Sequence, residues 1–212
     1  SIPFEQLAVF GCAVITGVGA VINTANISVG STVAIVGLGG IGLNSLLGAK
    51  LAGARNIIAI DINENKLKTA KELGATDVYL STDENLVEEI KQKYGGGVDY
   101  AFETAGVVLA MDVAYQITKR GGMTVTTGLP DPSHTFSFPQ VTLAAEERVI
   151  KGTYVGTCVP RRDIPRFIDL YKQGRLPVDH LLTATLPLEE INEGFDRLAS
   201  GEISRLVVTM DE

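Results

Sequence analysis

The sequence predicts an α/β fold, a doubly wound parallel sheet with helices on both faces. Three observations predict it. Short apolar runs rich in β-branched residues alternate with helical segments between residues 32 and 127, the pattern of successive βαβ units. The runs Thr32-Val33-Ala34-Ile35-Val36 and Asn56-Ile57-Ile58-Ala59-Ile60 are continuous rather than alternating, as strands buried on both faces are. Between them stands Gly37-Leu38-Gly39-Gly40-Ile41-Gly42, a glycine turn at a strand-to-helix junction.

The chain in order gives each element a reason. Ile2-Pro3-Phe4-Glu5-Gln6-Leu7-Ala8 lets a helix start at Pro3, whose missing N–H costs nothing in a first turn. Cys12 to Asn23 is small and apolar and reads as a helix leading into the sheet. The apolar run from Leu7 to Ile22 is too short and too broken by glycine for a membrane span. Asn26 to Ser31 is a turn, and the first strand follows at Thr32. Gly37 permits the tight turn out of that strand. Gly39 has no Cβ, so a pyrophosphate can approach the backbone, and Gly42 lets the helix pack close to the strand. The helix, read from Leu43 to Ala54, offers unpaired N–H groups and partial positive charge at its start. Asp61 ends the second strand roughly 20 residues later, where a carboxylate can accept hydrogen bonds from a ribose diol.

One glycine pattern proves little in a chain with 23 glycines among 212 residues. Strand, glycines, helix, strand and acid together point to a dinucleotide. A methyltransferase site for an adenosyl cofactor would also use a glycine turn and an acid, but the third glycine here is placed to admit phosphates. A 2′-phosphate beside Asp61 would meet like charge, and no Arg follows at once, so NAD is expected rather than NADP.

Beyond Asp61, Glu64 to Leu73 has helical spacing and stops at Gly74. Asp77 to Leu80 is a third strand. Asp83 to Tyr94 is an amphipathic helix with acids near its start, and Gly95-Gly96-Gly97 turns the chain into a fourth strand, Val98 to Phe102. Val107 to Thr118 is helical. Met123 to Thr127 is a fifth strand ended by Gly128. Right-handed crossovers make this alternation a Rossmann fold with its cleft at the carboxyl ends of the strands. That rim holds the glycine turn, Asp61, Thr104 and Gly128. The segment from Leu129 to Pro139 carries three prolines and reads as a loop. Arg148 to Val155 is a strand candidate, Arg161 to Gln173 a helix ended by Gly174, Leu186 to Ala199 another helix, and Ser204 to Met210 a last strand.

Composition narrows the function. The formal net charge is −7 without a basic cluster, so nucleic acid is not an expected partner. Two cysteines, Cys12 and Cys158, give no disulfide framework and suggest a reducing, cytoplasmic setting. No signal-peptide pattern is visible. The chain begins at Ser1 and its first methionine is Met111, so it is expected to be a C-terminal portion of a longer polypeptide.

Several stretches together carry a family resemblance. They are Phe10-Gly11-Cys12-Ala13-Val14-Ile15-Thr16-Gly17, the glycine turn, Asp61-Ile62-Asn63 with Lys66, Gly97-Val98-Asp99-Tyr100-Ala101-Phe102-Glu103, Ile191-Asn192-Glu193-Gly194-Phe195-Asp196 and Gly201-Glu202-Ile203-Ser204-Arg205. The sequence resembles the medium-chain zinc-dependent alcohol dehydrogenases over essentially its whole length, matching the C-terminal part of that two-domain polypeptide. The resemblance implies three parts. Residues 1–24 would be a helical lead-in from the catalytic domain, 25–156 the NAD-binding domain, and 157–212 the last Rossmann elements with a return to the catalytic domain.

The resemblance also implies roles. Cys12 aligns with a ligand of the catalytic zinc; read alone, a cysteine on an apolar helix is a core residue. The other zinc ligands belong to the family's N-terminal domain, so no properly formed zinc site is expected here. Thr16 looks like the threonine beside the nicotinamide ring, the one residue with an expected catalytic role; read alone it is a helix hydroxyl bonded to the preceding turn. Gly37, Gly39, Gly40, Ile41 and Gly42 would cradle the cofactor. Asp61, Ile62, Asn63 and Lys66 would hold the adenosine ribose. Arg205 looks like the pyrophosphate-binding arginine, whose fork of donors suits phosphate oxygens. Thr104, Ala105, Thr127, Gly128, Leu129, Thr153 and Val155 align with the adenine and nicotinamide pockets, several through backbone groups. Cys158, His134 and His180 match no role and read as surface or loop residues.

For the full-length protein the resemblance implies oxidation of an alcohol to an aldehyde or ketone by hydride transfer to NAD, with zinc as Lewis acid. This chain alone is expected to be inactive. A dehydrogenase for a formaldehyde–thiol adduct, or a non-catalytic NAD-binding module, are the alternatives. The resemblance also implies a homodimer through the Arg148–Val155 strand, an exposed edge that could template pairing.

Overall fold

The computed structural model describes residues 2–182, 184–200, 203 and 205–210. The lead-in holds α1 (Phe4–Ala8) and α2 (Ala13–Gly19), and α2 continues over Ala20–Ala25 with wider π-type turns. Then come β1 (Thr32–Val36), α3 (Gly40–Leu51), β2 (Asn56–Asp61), α4 (Glu64–Leu73), β3 (Asp77–Leu80), α5 (Leu86–Lys93), β4 (Val98–Glu103), α6 (Val108–Ile117) and β5 (Thr118–Thr126). α7 (Gln140–Ala145), β6 (Val149–Gly152), α8 (Pro160–Lys172), β7 (Ala184–Pro187), α9 (Ile191–Ala199) and β8 (Leu206–Thr209) complete the order.

Six strands form one parallel sheet in the order β3-β2-β1-β4-β5-β6. The order reverses beside β1, the switch point at which doubly wound sheets open a cleft. Alternation inside the buried strands builds two cores. Val33 and Ile35 of β1 pack with α2 and α3 through Val14, Val18, Leu43 and Leu46. Ala34 and Val36 face the other way, onto Leu86 and Ile90 of α5 and Ala110, Ala114 and Ile117 of α6. Helix α3 is buried from Gly42 to Ala49, so packing rather than an amphipathic stripe holds it. Glycine makes that fit possible: a Cβ at Gly17 in α2 would lie 2.4 Å from the Ile41 carbonyl oxygen.

The expected elements appear with informative differences. α3 begins at Gly40, before Leu43, because Gly40 and Gly42 are themselves helical while Gly39 is the extended N-cap. β5 begins at Thr118 rather than Met123; its register against β4 shifts between Val98 and Tyr100, and Gly121 takes a left-handed turn within it. β6 is shorter than expected and ends at Gly152. Val155, Gly156 and Thr157 form a tight turn with φ of 51°, 64° and 53°, which a strand cannot contain. The expected helix from Leu186 begins only at Ile191. Leu186 lies in β7, which pairs in parallel with β8, and Pro187 ends that strand. α7 was not expected: it has no buried residue and so no core-facing period to read. The last strand covers Leu206–Thr209; Ser204, its expected start, lies outside the described residues, as do Gly201 and Glu202 of the family stretch.

Candidate functional site

The glycine turn sits where β1 hands over to α3, and each glycine meets a different constraint. Gly37 has φ +94°, and a Cβ there would lie 2.8 Å from the backbone nitrogen of Ala105. At Gly42 a Cβ would lie 1.9 Å from the Gly37 carbonyl oxygen. Gly39 is different: a Cβ would meet nothing within 4 Å. Its missing side chain leaves space open in front of the α3 N-terminus. At Gly40 a Cβ would lie 2.2 Å from Nη2 of Arg205. The guanidinium therefore lies over the start of α3, beside the open space at Gly39. An anion there would meet helix N–H groups and an arginine together.

Asp61 is buried at the end of β2. Its Oδ2 accepts a 2.6 Å hydrogen bond from the Leu38 backbone N–H, and Oδ1 accepts one from Asn63 at 2.9 Å. The acid thus ties the glycine turn to the start of α4, whose N-cap is the side chain of Asn63. Between these elements opens a cleft of about 510 Å³. Asp61, Ile62, Lys66, Thr104, Ala105 and Leu109 are among the residues lining it. Ile62 and Leu109 are exposed by 75% and 80%, a large apolar surface for a cleft that also holds Asp61 and Lys66. Size alone does not single it out. A groove of about 560 Å³ between Ile22, Leu51 and Arg166 lies away from the glycine turn.

Thr104 donates from Oγ1 to the Gly37 carbonyl at 2.6 Å, joining β4 to the glycine turn. Beside it Glu103, 2% exposed, was not singled out from sequence. Its Oε1 accepts from the N–H groups of Ala105 and Gly106 at 2.8 and 2.6 Å, and Oε2 from Thr126 Oγ1 at 2.7 Å. An acid ending a buried strand was the available signal, as it was for Asp61. Gly128 packs so closely that a Cβ would lie 2.5 Å from Glu103 Oε2. Thr127 is buried and donates to the Glu103 carbonyl, and Leu129 is exposed.

At the far end of the rim the Val155–Thr157 turn packs on α2, the helix that carries Thr16. Thr16 is buried in α2. Gly156 presses onto α2 there: a Cβ would lie 2.3 Å from the Ile15 carbonyl oxygen and 2.8 Å from that of Thr16. Thr153 is tied to β5 by its N–H to the Thr126 carbonyl at 3.0 Å. Cys158 is half-buried rather than a surface residue. Its thiol accepts from Asn23 Nδ2 and donates to the Ile15 carbonyl, both at 3.2 Å. Burial first, then the nearby Asp163 charge, pushes its pKa up to about 11. His134 and His180 are exposed, as expected.

Cys12 departs from its core reading. It is exposed, at the N-cap of α2. Among the described residues no three His, Cys, Asp or Glu side chains gather as a metal site. A catalytic zinc takes three protein ligands, and Cys12 has no such companions among the described residues.

Fold and cleft define a doubly wound protein with an open site at the carboxyl ends of β1, β2, β4 and β5. The family described as zinc-binding dehydrogenase matches residues 40–173, and the chain belongs to that family. It is 40% identical to S-(hydroxymethyl)glutathione dehydrogenase of Paracoccus denitrificans, over 97% of this chain and 57% of that protein. It is 37% identical to alcohol dehydrogenase 1 of Solanum tuberosum, over 99% of this chain and 56% of that one. Benzyl alcohol dehydrogenase from Acinetobacter calcoaceticus superposes with a TM-score of 0.96 at 33% identity, covering all of this chain and 58% of the other. The chain spans a little over half the length of these relatives.

Proposed function

We propose that this chain is the NAD-binding portion of a dehydrogenase that oxidises an alcohol to an aldehyde or ketone. The observation that carries the reading is the open space at Gly39, flanked by the α3 N-terminus and the Arg205 guanidinium. A pyrophosphate fits those donors. Gly37, Gly40, Ile41 and Gly42 shape the turn around it. Asp61 and Lys66 would take the adenosine ribose, with Ile62, Asn63, Thr104 and Ala105 around it. Thr16, Thr127, Gly128, Leu129, Thr153 and Val155 would frame the nicotinamide. Bound NAD would supply the hydride acceptor; the chain's own residues bind and orient it.

In this reading residues 25–156 form the cofactor domain, with 1–24 and 157–212 joining a catalytic domain. The longer protein works in the cytoplasm as a homodimer, and zinc belongs to it, with Cys12 offering one thiolate. This chain alone is inactive. The Paracoccus relative's name favours a second reading of the substrate, a formaldehyde–thiol adduct in place of a simple alcohol.

Calorimetric titration with NAD and with NADP tests the reading. NAD is expected to bind at least tenfold tighter, because the NADP 2′-phosphate would face Asp61. Equal affinity for the two would overturn the assignment of Asp61, and no binding of either would overturn the cofactor reading itself.

A further inference from the structure

Thr24, at the end of α2, meets two threonines of the segment that follows β6, distant in sequence from it. Thr24 Oγ1 lies 2.7 Å from Thr153 Oγ1 and 2.8 Å from Thr157 Oγ1, and the last two are 3.2 Å apart. Thr24 is 2% exposed. It belongs to the π-turned end of α2, a geometry that often marks functional positions. Lys151 of β6 donates to its carbonyl at 2.7 Å. Thr153 precedes, and Thr157 ends, the turn of Val155, Gly156 and Thr157, all three left-handed. For glycine that conformation is free, but for β-branched valine and threonine it is strained and persists only where the surroundings impose it.

We propose that Thr24 is a positioning residue for the nicotinamide end of the cofactor. The inference rests on the NAD-binding reading. Thr24 would touch no cofactor itself. Its hydroxyl clamps Thr153 and Thr157 from α2, holding Val155 in its strained turn and fixing where the backbone groups of Thr153 and Val155 point. The adenosine cleft around Asp61 and Lys66 is built by other elements, β2, α4 and α6. The clamp should therefore act on one half of the cofactor only.

The test compares NAD with ADP-ribose, which is NAD without its nicotinamide ring, by calorimetric titration of the parent chain, Thr24→Val and Thr24→Ser. Valine keeps the shape and removes the hydroxyl; serine keeps the hydroxyl. The parent chain is expected to prefer NAD over ADP-ribose. Thr24→Val is expected to reduce that preference about tenfold, which is about 1.4 kcal/mol, while binding ADP-ribose as before. Thr24→Ser is expected to restore most of it. A general folding defect would weaken both ligands equally and overturn the proposal, as would an unchanged preference in Thr24→Val. A parent chain that binds ADP-ribose but gains nothing from the nicotinamide overturns it too, leaving the cofactor reading intact. Failure of both ligands on the parent chain overturns the cofactor reading and this inference with it.

Discussion

Two glycines in one turn are there for different reasons, and substitution separates them. Gly42→Ala places a Cβ 1.9 Å from a backbone carbonyl, so α3 must shift off β1. The expected cost is about 3 kcal/mol, a fall in Tm of roughly 6 to 12 °C for a chain of this size. Gly39→Ala meets no protein atom within 4 Å; Tm should hold within about 2 °C while NAD binding is lost, because the methyl occupies the phosphate's approach. Thermal unfolding and titration on both variants check this, and loss of Tm in Gly39→Ala would contradict it. The two cysteines give a second residue-scale prediction. With its pKa near 11, Cys158 is almost wholly protonated at pH 7.5, whereas Cys12 is exposed. A thiol reagent should modify one equivalent quickly and the second far more slowly; two equally fast equivalents would contradict the hydrogen bonds and partial burial of Cys158. The glycines and Asp61 were legible in the sequence because a local pattern states their purpose. Thr24 was not, since its hydroxyl partners lie 129 and 133 residues away. Glu103 was legible only as part of a family stretch, because its hydrogen bond with Thr126 depends on β4 and β5 lying side by side.

Elements that alternate in and out of a core announce themselves. α4 and β3 fall where the spacing puts them, Glu64–Leu73 and Asp77–Leu80, because a glycine cap and apolar periods bound them. β7 was missed, and its second half taken for the start of a helix, because a four-residue strand paired only with β8 leaves too short a signal against the amphipathic run that follows. α8 shows how an element's end is secured by a group the period does not reveal. Asp163 is fully buried and its Oδ2 reaches back to the Val159 N–H at 2.7 Å, with Arg162 Nη2 at 2.8 Å from the same oxygen. The Arg162 hydrogen bond holds the carboxyl below the usual carboxylate range against the opposing effect of burial, helped by the Val159 N–H. A lowered folded pKa means that the stabilisation is complete above the unfolded value near 3.9 and is lost as pH falls through the folded value. Asp163→Asn is therefore expected to lower stability at pH 7 by on the order of 2 kcal/mol. The gap between the two proteins should narrow from about pH 4 downward. Urea unfolding across pH 7 to 3 reads it, and a gap independent of pH would show that the carboxylate charge contributes nothing to the cap.

At the scale of the whole molecule the six-stranded sheet has two unlike edges. β3 is half-buried along its length, and Asp77 at its start is engaged by Lys93 at 2.5 Å and by the Tyr94 hydroxyl. β6 at the other edge is mostly exposed, with Val149 open to solvent by 41%. An open edge of parallel sheet offers unpaired N–H and C=O groups to a second strand. A two-fold axis beside β6 would bring the same strand of a second copy against it in antiparallel sense and double the sheet. The proposed homodimer is expected to sediment with twice the mass of the chain at concentrations of tens of micromolar. Val149→Asp places a charge close to its own copy across such an axis, where like charges oppose pairing. The side chain is already exposed in the single chain, so folding should be little affected while the sedimenting mass falls to that of one chain. A dimer that survives Val149→Asp would have to meet through another surface. A parent chain that sediments as a monomer would mean that β6 stays unpaired, its guard against edge pairing being its shortness and Lys151, which is turned toward Thr24.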